Sequence, residues 1–365
     1  MSISVLPVPP LDLTESSIEI TRRLCDMPSV SGGEAAVADA IEAALAECAH
    51  LEVLRDGDAV IARTHLGRER RVVIAGHIDT VPINNNVPTR FETIDGVEYL
   101  WGRGTVDMKA GVAVQLKLAA ELAAPPVDVT WIWYDHEEVS DELNGLNRLA
   151  RTRPDLLAGD FAILGEPTRS EVEGGCNGNM RVEVRTFGLR AHSARAWVGE
   201  NAIHAAAPIL DRLVSYTPRE VEVDGLVYRE SLSAVGITGG IAGNVIPDEC
   251  MVHVNYRFAP SRSGDEAEQH LRDLFHGFEV TVVDRAEGAR PGLDSPLSRE
   301  FLAAVGATAH PKYGWTDVAR FSALGVPAVN YGPGDPLKAH ADDERVPLEQ
   351  ITSCEAGLRR WLSGS

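Results

Sequence analysis

The chain contains 365 residues, of which 44% are hydrophobic and 24% are charged, values that are usual for a globular protein. Its formal net charge is −20, from 34 basic and 54 acidic residues. Sequence-independent binding to nucleic acids and docking on anionic membranes both need a basic surface, so this charge argues against either partner. The five cysteines are scattered without C-x-x-C spacing, which argues against a thiolate metal site and a disulfide framework.

The N-terminal segment lacks the basic start and the cleavage pattern of a secretory signal. No apolar stretch of the sequence approaches the ~18 residues that a transmembrane helix needs. We therefore expect a cytoplasmic protein with neither a membrane nor a nucleic acid as partner.

The first part of the chain alternates between helical and extended patterns. From the first helix, Ile18, Leu24 and Cys25 are expected to face the core. Apolar strands that alternate with helices are typical of an α/β fold, in which helices cover a layered sheet. Helices are predicted at residues 14–27, 34–47 and 107–123, and strands at residues 51–54, 59–64, 71–75, 127–134 and 160–164.

The middle of the chain changes to a β-α-β-β-α-β order, which is typical of a ferredoxin-like α+β unit. Its strands are predicted at residues 180–187, 233–238, 251–258 and 278–283, and its helices at residues 202–214 and 265–275.

Beyond Pro291 the α/β pattern returns, with a strand at residues 326–331 and a final helix at residues 348–362. The two α/β parts therefore belong to one catalytic domain into which the middle part is inserted. The predicted domains are residues 1–176 and 290–365 for the catalytic domain, and residues 177–289 for the inserted domain.

His77 and Asp79 follow a predicted buried strand, in the segment A-G-H-I-D-T-V-P. In a strand, residues i and i+2 point to the same side, which suits a metal-binding imidazole and the carboxylate that orients it. A histidine that caps or borders the core explains the same pattern. H-x-D therefore does not identify a metal site by itself.

Asp107 lies at the start of a predicted helix, in the segment G-R-G-T-V-D-M-K-A-G. A carboxylate here could cap the helix by accepting hydrogen bonds from its free amides, and the same carboxylate could bind a metal. The nearby glycines lack the third glycine and the preceding strand that a dinucleotide-binding loop needs. A nucleotide is therefore not expected.

Glu137 and Glu138 follow the strongly apolar strand at residues 127–134, and Glu166 follows the strand at residues 160–164. Charged clusters are usually solvated, but open α/β sheets bind ligands at the carboxyl ends of their strands. Because neighbouring carboxylates diverge, one of Glu137 and Glu138 could bind a metal while the other transfers protons.

His340 lies in a loop and completes a set of histidines and carboxylates at strand ends or loops of one predicted sheet. Two zinc ions ~3.5–4 Å apart can share a bridging carboxylate and keep an open position for water. Glu137 is not needed as a ligand and is left free to act as a general base. The expected ligands are His77, Asp107 and Glu166 for one ion, and Asp107, Glu138 and His340 for the other.

Together, these segments resemble the di-zinc aminoacylase/carboxypeptidase family of metallo-amidohydrolases. The motifs G-H-x-D-T-V-P, G-R-G-x-x-D-M-K-x-G, the E-E pair, G-E-P-T and a C-terminal A-H occur in that order. The resemblance covers essentially the whole chain. It implies an α/β fold, with a di-zinc peptidase-like catalytic domain and an inserted ferredoxin-like α+β dimerisation domain.

The resemblance also implies metal-dependent hydrolysis of an amide bond by a homodimer, with two Zn²⁺ per subunit and Co²⁺ as a candidate substitute. The expected substrate is a small anionic N-acyl amino acid. In the family pattern Asp79 orients His77, and Glu137 activates the water. The metal ligands that the resemblance implies are His77, Asp107, Glu138, Glu166 and His340.

Four further positions in this chain match the family pattern. His192, in the segment R-A-H-S-A, matches the histidine that reaches the scissile carbonyl of the neighbouring subunit, although an exposed loop histidine explains it equally well. Asn244, Arg257 and Thr316 match substrate-contacting positions, although a cation such as Arg257 at a strand end is commonly just solvated.

Two departures from the family pattern affect the pocket and leave the metal chemistry unchanged. The segment Cys176-Asn-Gly178 stands where relatives commonly have a basic residue before the glycine, and Trp315 and Val318 alter a substrate loop. Another N-acyl amino-acid hydrolase or a small dipeptidase therefore stays open as an alternative. A catalytically silent protein on this fold and a nucleotide-dependent oxidoreductase are further alternatives, although the latter would need a phosphate loop.

Overall fold

In the computed structural model, which describes residues 10–364, the chain forms two units. The second unit interrupts the first and also takes a short segment from later in the chain. The first unit contains the described residues up to Gly174, Gly292–His310 and the described residues from Arg320, and the second contains Gly175–Pro291 and Pro311–Ala319.

Helices and strands alternate along the first unit, and strands dominate the second. The helices are α1 (Ser17–Cys25), α2 (Ala35–Ala46), α3 (Lys109–Glu121), α4 (Gly145–Thr152), α5 (Pro154–Leu157), α6 (Ala202–Ala205), α7 (Ala207–Ser215), α8 (Gly264–Leu274), α9 (Pro296–Val305), α10 (Val318–Ala323) and α11 (Leu348–Ser363). The strands are β1 (Glu52–Asp56), β2 (Ala59–Arg63), β3 (Arg71–His77), β4 (Arg90–Ile94), β5 (Val97–Trp101), β6 (Asp128–Tyr134), β7 (Phe161–Leu164), β8 (Val172–Gly174), β9 (Gly178–Phe187), β10 (Ala191–His192), β11 (Glu220–Val223), β12 (Leu226–Arg229), β13 (Ser231–Gly239), β14 (Val245–Ile246), β15 (Glu249–Phe258), β16 (Glu279–Ala286), β17 (Ala309–Pro311), β18 (Ala328–Asn330) and β19 (Arg345–Pro347).

The first unit is built on a sheet with the order β1-β2-β6-β3-β7-β18-β8-β17. Strands β6, β3, β7 and β18 run parallel to one another. In their register, His77 pairs with Tyr134, and Ala75 pairs with Leu164. The carboxyl ends of these strands therefore meet at the same edge of the sheet, where open α/β folds bind ligands.

Helix α3 is buried along nearly its whole length, which agrees with a sequence that is largely apolar all round. Helices α1 and α11 pack against it. The Lys109 Nζ donates to the carbonyl oxygens of Leu24 and Met27, at 2.9 and 2.8 Å. The Gln115 Nε2 donates to the carbonyl oxygen of Ala75 at 2.9 Å. The start of α3 is thereby tied to the end of α1, and its middle to strand β3.

The first helix is shorter than predicted, and its buried face differs at one position. Ile20 is fully buried, and Ile18, which was predicted to face the core, is half-buried and packs against the edge of that core. The buried residues recur at positions 17, 20, 21, 24 and 25, which is the 3–4 spacing of one helical face. The Thr21 hydroxyl is satisfied on that face because its Oγ1 donates to the Ser17 carbonyl oxygen at 2.7 Å.

The second unit has the predicted β-α-β-β-α-β order, formed by β9, α6 with α7, β13, β15, α8 and β16. Its antiparallel sheet has the strand order β13-β15-β9-β16. The predicted helix at residues 202–214 is divided at Ala206, because Pro208 has no amide hydrogen and favours the start of a new helix.

The hairpin of β4 and β5 was not predicted, although its turn has the sequence Asp95-Gly96, a pair typical of two-residue hairpin turns. Asp95 and Gly96 both have positive φ, 52° and 82°, which is the conformation of a two-residue type I′ turn. Among the described residues, none of the helices is long and apolar enough to cross a membrane.

Candidate metal centre

Polar side chains gather where the central strands of the first unit end. His77 is the last residue of β3. Glu137 and Glu138 follow the end of β6, and Glu166 follows the end of β7. Since β6, β3 and β7 are neighbours in the sheet, these four side chains are brought to one edge by the sheet itself.

Asp107 joins the two histidines of the set. Its Oδ1 lies 3.0 Å from the His77 Nε2, and its Oδ2 lies 3.2 Å from the His340 Nε2. The His340 Nε2 is also 3.0 Å from the Glu138 Oε1. The residue that caps α3 is Met108, and the Asp107 carboxylate is turned to the histidines instead of capping the helix. Asp107 thus offers one carboxylate oxygen to each imidazole.

The donor atoms form three overlapping groups, within each of which all ligand atoms lie within 4.8 Å of one another. Asp107 is shared between two of them, so the structure brings together all five predicted ligands. The groups are His77, Asp107 and Glu166; Asp107, Glu138 and His340; and His77, Glu137 and Glu138.

Asp79 contacts both His77 and the turn that carries the two glutamates. The His77 Nδ1 lies 3.1 Å from the Asp79 carbonyl oxygen and 3.3 Å from the Asp79 Oδ1. The amides of Glu137 and Glu138 donate to the Asp79 carboxylate at 3.0 Å each, and the Ser31 Oγ donates to it at 2.7 Å. Strand alternation was the wrong explanation for this contact, because β3 ends at His77 and Asp79 lies beyond it.

Carboxylates surround both imidazoles and change their ionisation. Burial alone lowers the pKa of His77, but the hydrogen bonds to Asp107 and Asp79 raise that pKa well above its usual value. Hydrogen bonds to Asp107 and Glu138 raise the pKa of His340 to about 10. In the absence of a metal ion, these carboxylates therefore favour the protonated form of both imidazoles.

Glu344 supports the Asp107 loop and was not noticed in the sequence. Its carboxylate is fully buried, and its Oε1 accepts from the amides of Val106 and Asp107 at 2.9 and 3.1 Å. Its Oε2 accepts from the Arg103 Nη1 at 2.7 Å. Glu344 lies four residues after His340, so one short loop holds a predicted ligand and the support of another.

Two glycines, Gly111 and Gly332, explain how the segments around the centre approach one another. A Cβ atom on Gly111, in α3, would lie 2.2 Å from the Gly165 carbonyl oxygen. A Cβ atom on Gly332 would lie 2.2 Å from the same oxygen and 2.6 Å from that of Glu166. No side chain fits at either position, so the backbone of residues 165–166 lies against both α3 and the loop after β18.

The four other predicted residues belong to the second unit. His192 is exposed in β10 and accepts a hydrogen bond at its Nδ1 from the Ala194 amide at 3.0 Å. The neighbouring Ser193 amide donates to the Asn244 carbonyl oxygen at 2.9 Å, so His192 and Asn244 lie close together. Arg257 is near the end of β15, and Thr316 is buried in the 311–319 segment. Their roles stay predictions.

The donor chemistry of the three groups fits zinc. Imidazole nitrogens and carboxylate oxygens are common zinc ligands, and no thiolate belongs to any of the groups. The Asp107 carboxylate has His77 beside its Oδ1 and His340 beside its Oδ2, which is the arrangement expected of a bridging ligand. The three groups contain two imidazoles and four carboxylates, so negatively charged oxygen ligands outnumber the imidazoles. Such a centre favours a bound cation.

We expect metal binding to release protons, because an imidazole must be neutral to act as a ligand. Because the pKa values of both His77 and His340 are raised, their protons are bound at neutral pH in the metal-free protein and must leave when metal binds. Filling both metal positions near neutral pH should release about two protons per chain, and the affinity for metal should rise with pH until the pKa of His340, about 10, is reached. Calorimetric titration of metal-free protein with Zn²⁺ in buffers of different ionisation enthalpy measures this number. A value near zero would contradict it.

The chain is similar to a known protein family and to named proteins over most of its length. A family model described as peptidase family M20/M25/M40 matches residues 73–363. A Mycobacterium tuberculosis protein, provisionally named succinyl-diaminopimelate desuccinylase DapE, is 52% identical over 357 residues, which cover 97% of this chain and 100% of that protein. The succinyl-diaminopimelate desuccinylase of Corynebacterium glutamicum is 48% identical over 366 residues, covering 97% of this chain and 98% of that protein.

Solved structures share the fold at low sequence identity. A tripeptidase from Staphylococcus aureus superposes with a TM-score of 0.77 at 20% identity, covering 97% of this chain and 98% of that one. An M20 family metallo-carboxypeptidase from Sulfolobus solfataricus superposes with a TM-score of 0.76 at 16% identity, covering 96% and 99%. At these identities the similarity concerns the fold alone.

Proposed function

The chain belongs to peptidase family M20/M25/M40, and we propose that it hydrolyses N-succinyl-diaminopimelate to succinate and diaminopimelate, a step toward lysine. The observation that carries this proposal is the identity of 48–52%, over 97% of the chain, to proteins named as desuccinylases of this substrate. The sequence motifs resemble those of the same desuccinylases. As a family member the chain is a metal-dependent hydrolase, and its cytoplasmic location stays a proposal.

An acetylornithine deacetylase or a dipeptidase would use the same metal ligands and base, so only the pocket distinguishes these activities. Side-by-side assays with N-succinyl-diaminopimelate, N-acetylornithine and a dipeptide test the proposal, with metal-stripped protein as the control. We expect kcat/KM for the succinyl substrate to exceed the others by more than about a hundredfold. An equal or higher value for either of the others would assign the enzyme to that substrate instead.

We propose that the centre holds two Zn²⁺ ions, with His77, Asp107 and Glu166 on one side and Asp107, Glu138 and His340 on the other. The support is the pair of donor groups that share Asp107. When bound, the ions would polarise the amide carbonyl and lower the pKa of a water molecule.

The protein's own groups then carry the proton transfers. Glu137 is half-buried beside His77 and Glu138, and it follows the same strand as the ligand Glu138. Its carboxylate would accept a proton from the attacking water and later deliver that proton to the leaving amine. The backbone and side-chain oxygens of Asp79 lie beside the His77 Nδ1. Asp79 would therefore hold the His77 ring so that the Nε2 of His77 faces the other proposed metal ligands.

The substrate contacts are proposed from the family resemblance. His192 would donate a hydrogen bond to the developing oxyanion in the neighbouring subunit. Arg257 would pair with a substrate carboxylate, for which a guanidinium is well shaped. Asn244 and Thr316 would complete the polar lining.

We propose a homodimer formed by the second unit through the free edge of β13. Strands β13 and β16 are the two edges of the sheet. The sequence of β16 includes the charged residues Glu279, Asp284 and Arg285, which discourage pairing with another strand, whereas β13 has no charged residue.

Apolar side chains are exposed on and beside β13. Val235 is 64% exposed and Ile237 is 49% exposed, both on the strand, and Ile241 just beyond it is 67% exposed. In helix α7, Leu210 and Val214 are spaced by four residues and are 38% and 87% exposed. Exposed apolar groups of this kind mark protein–protein interfaces.

Replacing Ile237 with lysine should convert the dimer to a monomer, because the ammonium group would be buried against the partner's edge. Size-exclusion chromatography with light scattering measures the mass. Val283→Lys is the matched control, since Val283 is 54% exposed on the opposite edge strand and should leave the dimer intact. A dimeric Ile237→Lys, or a monomeric Val283→Lys, would show that β13 is not the interface.

A further inference from the structure

The turn at residues 136–138 carries the proposed base, and carboxylates hold three of its consecutive amides. Asp79 accepts from the amides of Glu137 and Glu138 at 3.0 Å each. The preceding amide, that of His136, donates instead to the Glu34 Oε1 at 3.2 Å. Each amide of this turn therefore faces a carboxylate oxygen.

The segment that carries Glu34 is itself fixed beside the loop that follows β3. The Thr80 amide donates to the Ser29 carbonyl oxygen at 3.0 Å, and the Ser31 amide donates to the Thr80 carbonyl oxygen at 3.2 Å. The Ser31 Oγ donates to Asp79 at 2.7 Å. Glu34 and Asp79 thus approach the turn from two backbone segments that are hydrogen-bonded to each other.

Glu34 is the N-cap residue of α2, yet its side chain makes no capping hydrogen bond. The side chain is fully buried and its carboxylate faces the turn. Burying a carboxylate is unfavourable unless it has partners, so a helix start alone does not explain a glutamate here. The partners of the carboxylate do: its Oε1 accepts from the His136 amide at 3.2 Å and lies 3.5 Å from the His136 Nδ1, and the Gly32 and Glu34 amides also hydrogen-bond to it.

His136 explains why its turn needs this contact. Its φ is +58°, in the left-handed region that non-glycine residues adopt only at a cost in free energy. A left-handed residue within a turn points successive amides to one side, where they bind an anion. Without an acceptor for the His136 amide, the turn would relax toward other conformations.

We propose that Glu34 is a positioning residue for Glu137: by accepting the His136 amide hydrogen, it keeps the left-handed turn that directs the Glu137 carboxylate. The proposal rests on the proposed role of Glu137 as the general base. Glu34 belongs to none of the three donor groups, so its replacement should change the turn and leave the metal content unchanged.

Two variants separate the length of the side chain from its charge. Glu34→Asp keeps the charge but is too short to reach the His136 amide, and it should lower kcat by about tenfold to a hundredfold, since small misplacements of reacting groups have effects of that size. Its KM and zinc content should stay close to those of the wild type. Glu34→Gln keeps the acceptor oxygen and should retain kcat to within about threefold.

Hydrogen exchange of the metal-free protein provides a readout that does not depend on catalysis. The peptide that contains residues 136–138 should exchange faster in Glu34→Asp and at the wild-type rate in Glu34→Gln. The matched control is Ser16→Ala, which removes the N-cap of α1, where the Ser16 Oγ accepts from the Glu19 amide at 3.3 Å. It should lower Tm without changing kcat or the exchange of the turn.

Three results would overturn the positioning role. They are a wild-type kcat and exchange rate in Glu34→Asp, a loss of kcat that follows a loss of zinc, and damage in Glu34→Gln equal to that in Glu34→Asp. If Glu137→Ala retained activity while Glu34→Asp still loosened the turn, the base assignment would fail and the contact itself would stand.

Discussion

Replacing Glu137 with alanine is expected to lower kcat by about 10²- to 10⁴-fold, the usual contribution of a general acid–base group. Glu137 lies within reach of His77 and Glu138 but belongs to neither group that shares Asp107. Its removal therefore takes away the proton acceptor and leaves the proposed ligands in place. Turnover of N-succinyl-diaminopimelate and zinc content, measured by elemental analysis on the same preparation, test both parts of this expectation.

Glu142→Ala is the matched control for this variant. Glu142 is an exposed acid in the same loop region and belongs to none of the donor groups, so its loss should change neither kcat nor zinc content. A Glu137→Ala protein that kept its turnover would exclude Glu137 as the base. One that lost zinc together with turnover would identify Glu137 as a ligand.

Replacing Gly111 with alanine is expected to damage both stability and metal binding. The new Cβ would lie 2.2 Å from the Gly165 carbonyl oxygen, and a backbone atom cannot rotate away as a side chain can. Either α3 or residues 165–166 must shift, at a cost of about 1–3 kcal/mol or more for overpacking. Because Glu166 lies on one side of this contact and Asp107 precedes the helix on the other, zinc content should fall and kcat with it.

Ala120→Gly separates this effect from a general weakening of α3. Ala120 lies near the end of the same helix, and glycine there costs about 1 kcal/mol of helix propensity without any overlap. The thermal melt should show both variants as destabilised, but only Gly111→Ala should bind less zinc. Full zinc content in Gly111→Ala would mean that the contact at Gly165 does not set the position of Glu166.

The parallel core of the first unit could be predicted from the sequence because its strands are short apolar runs between helical patterns. The strand ends could be predicted to carry a site for the same reason, since open α/β sheets bind ligands at that edge. His77, Glu138 and Glu166 each stand just after such a run, so their shared location followed from the topology. Asp107 and His340 lie in loops. Their approach to the other ligands could be inferred only from the number of ligands that two zinc ions need and from the resemblance to the family.

The supporting contacts could not be predicted, because they depend on distances between segments far apart in the chain. In the sequence, Glu344 is the last of three consecutive acidic residues, and nothing there indicates that it is fully buried under the Asp107 loop. The sequence around Glu34 indicates only the start of a helix. Gly111 reads as a weak position in a helix, and only the 2.2 Å approach to Gly165 shows why a side chain is excluded.

The place of β18 in the sheet bears on the order in which the protein folds during synthesis. Strand β18 lies between β7 and β8, so the sheet of the first unit stays incomplete until residue 330 has left the ribosome. The four strands β9, β13, β15 and β16, by contrast, are all made before Pro291. Since domains generally fold as units as they emerge, we expect the four-stranded sheet of the second unit to form while the sheet of the first unit still lacks this inner strand. The part of the chain that is made first would then be among the last to reach its native structure.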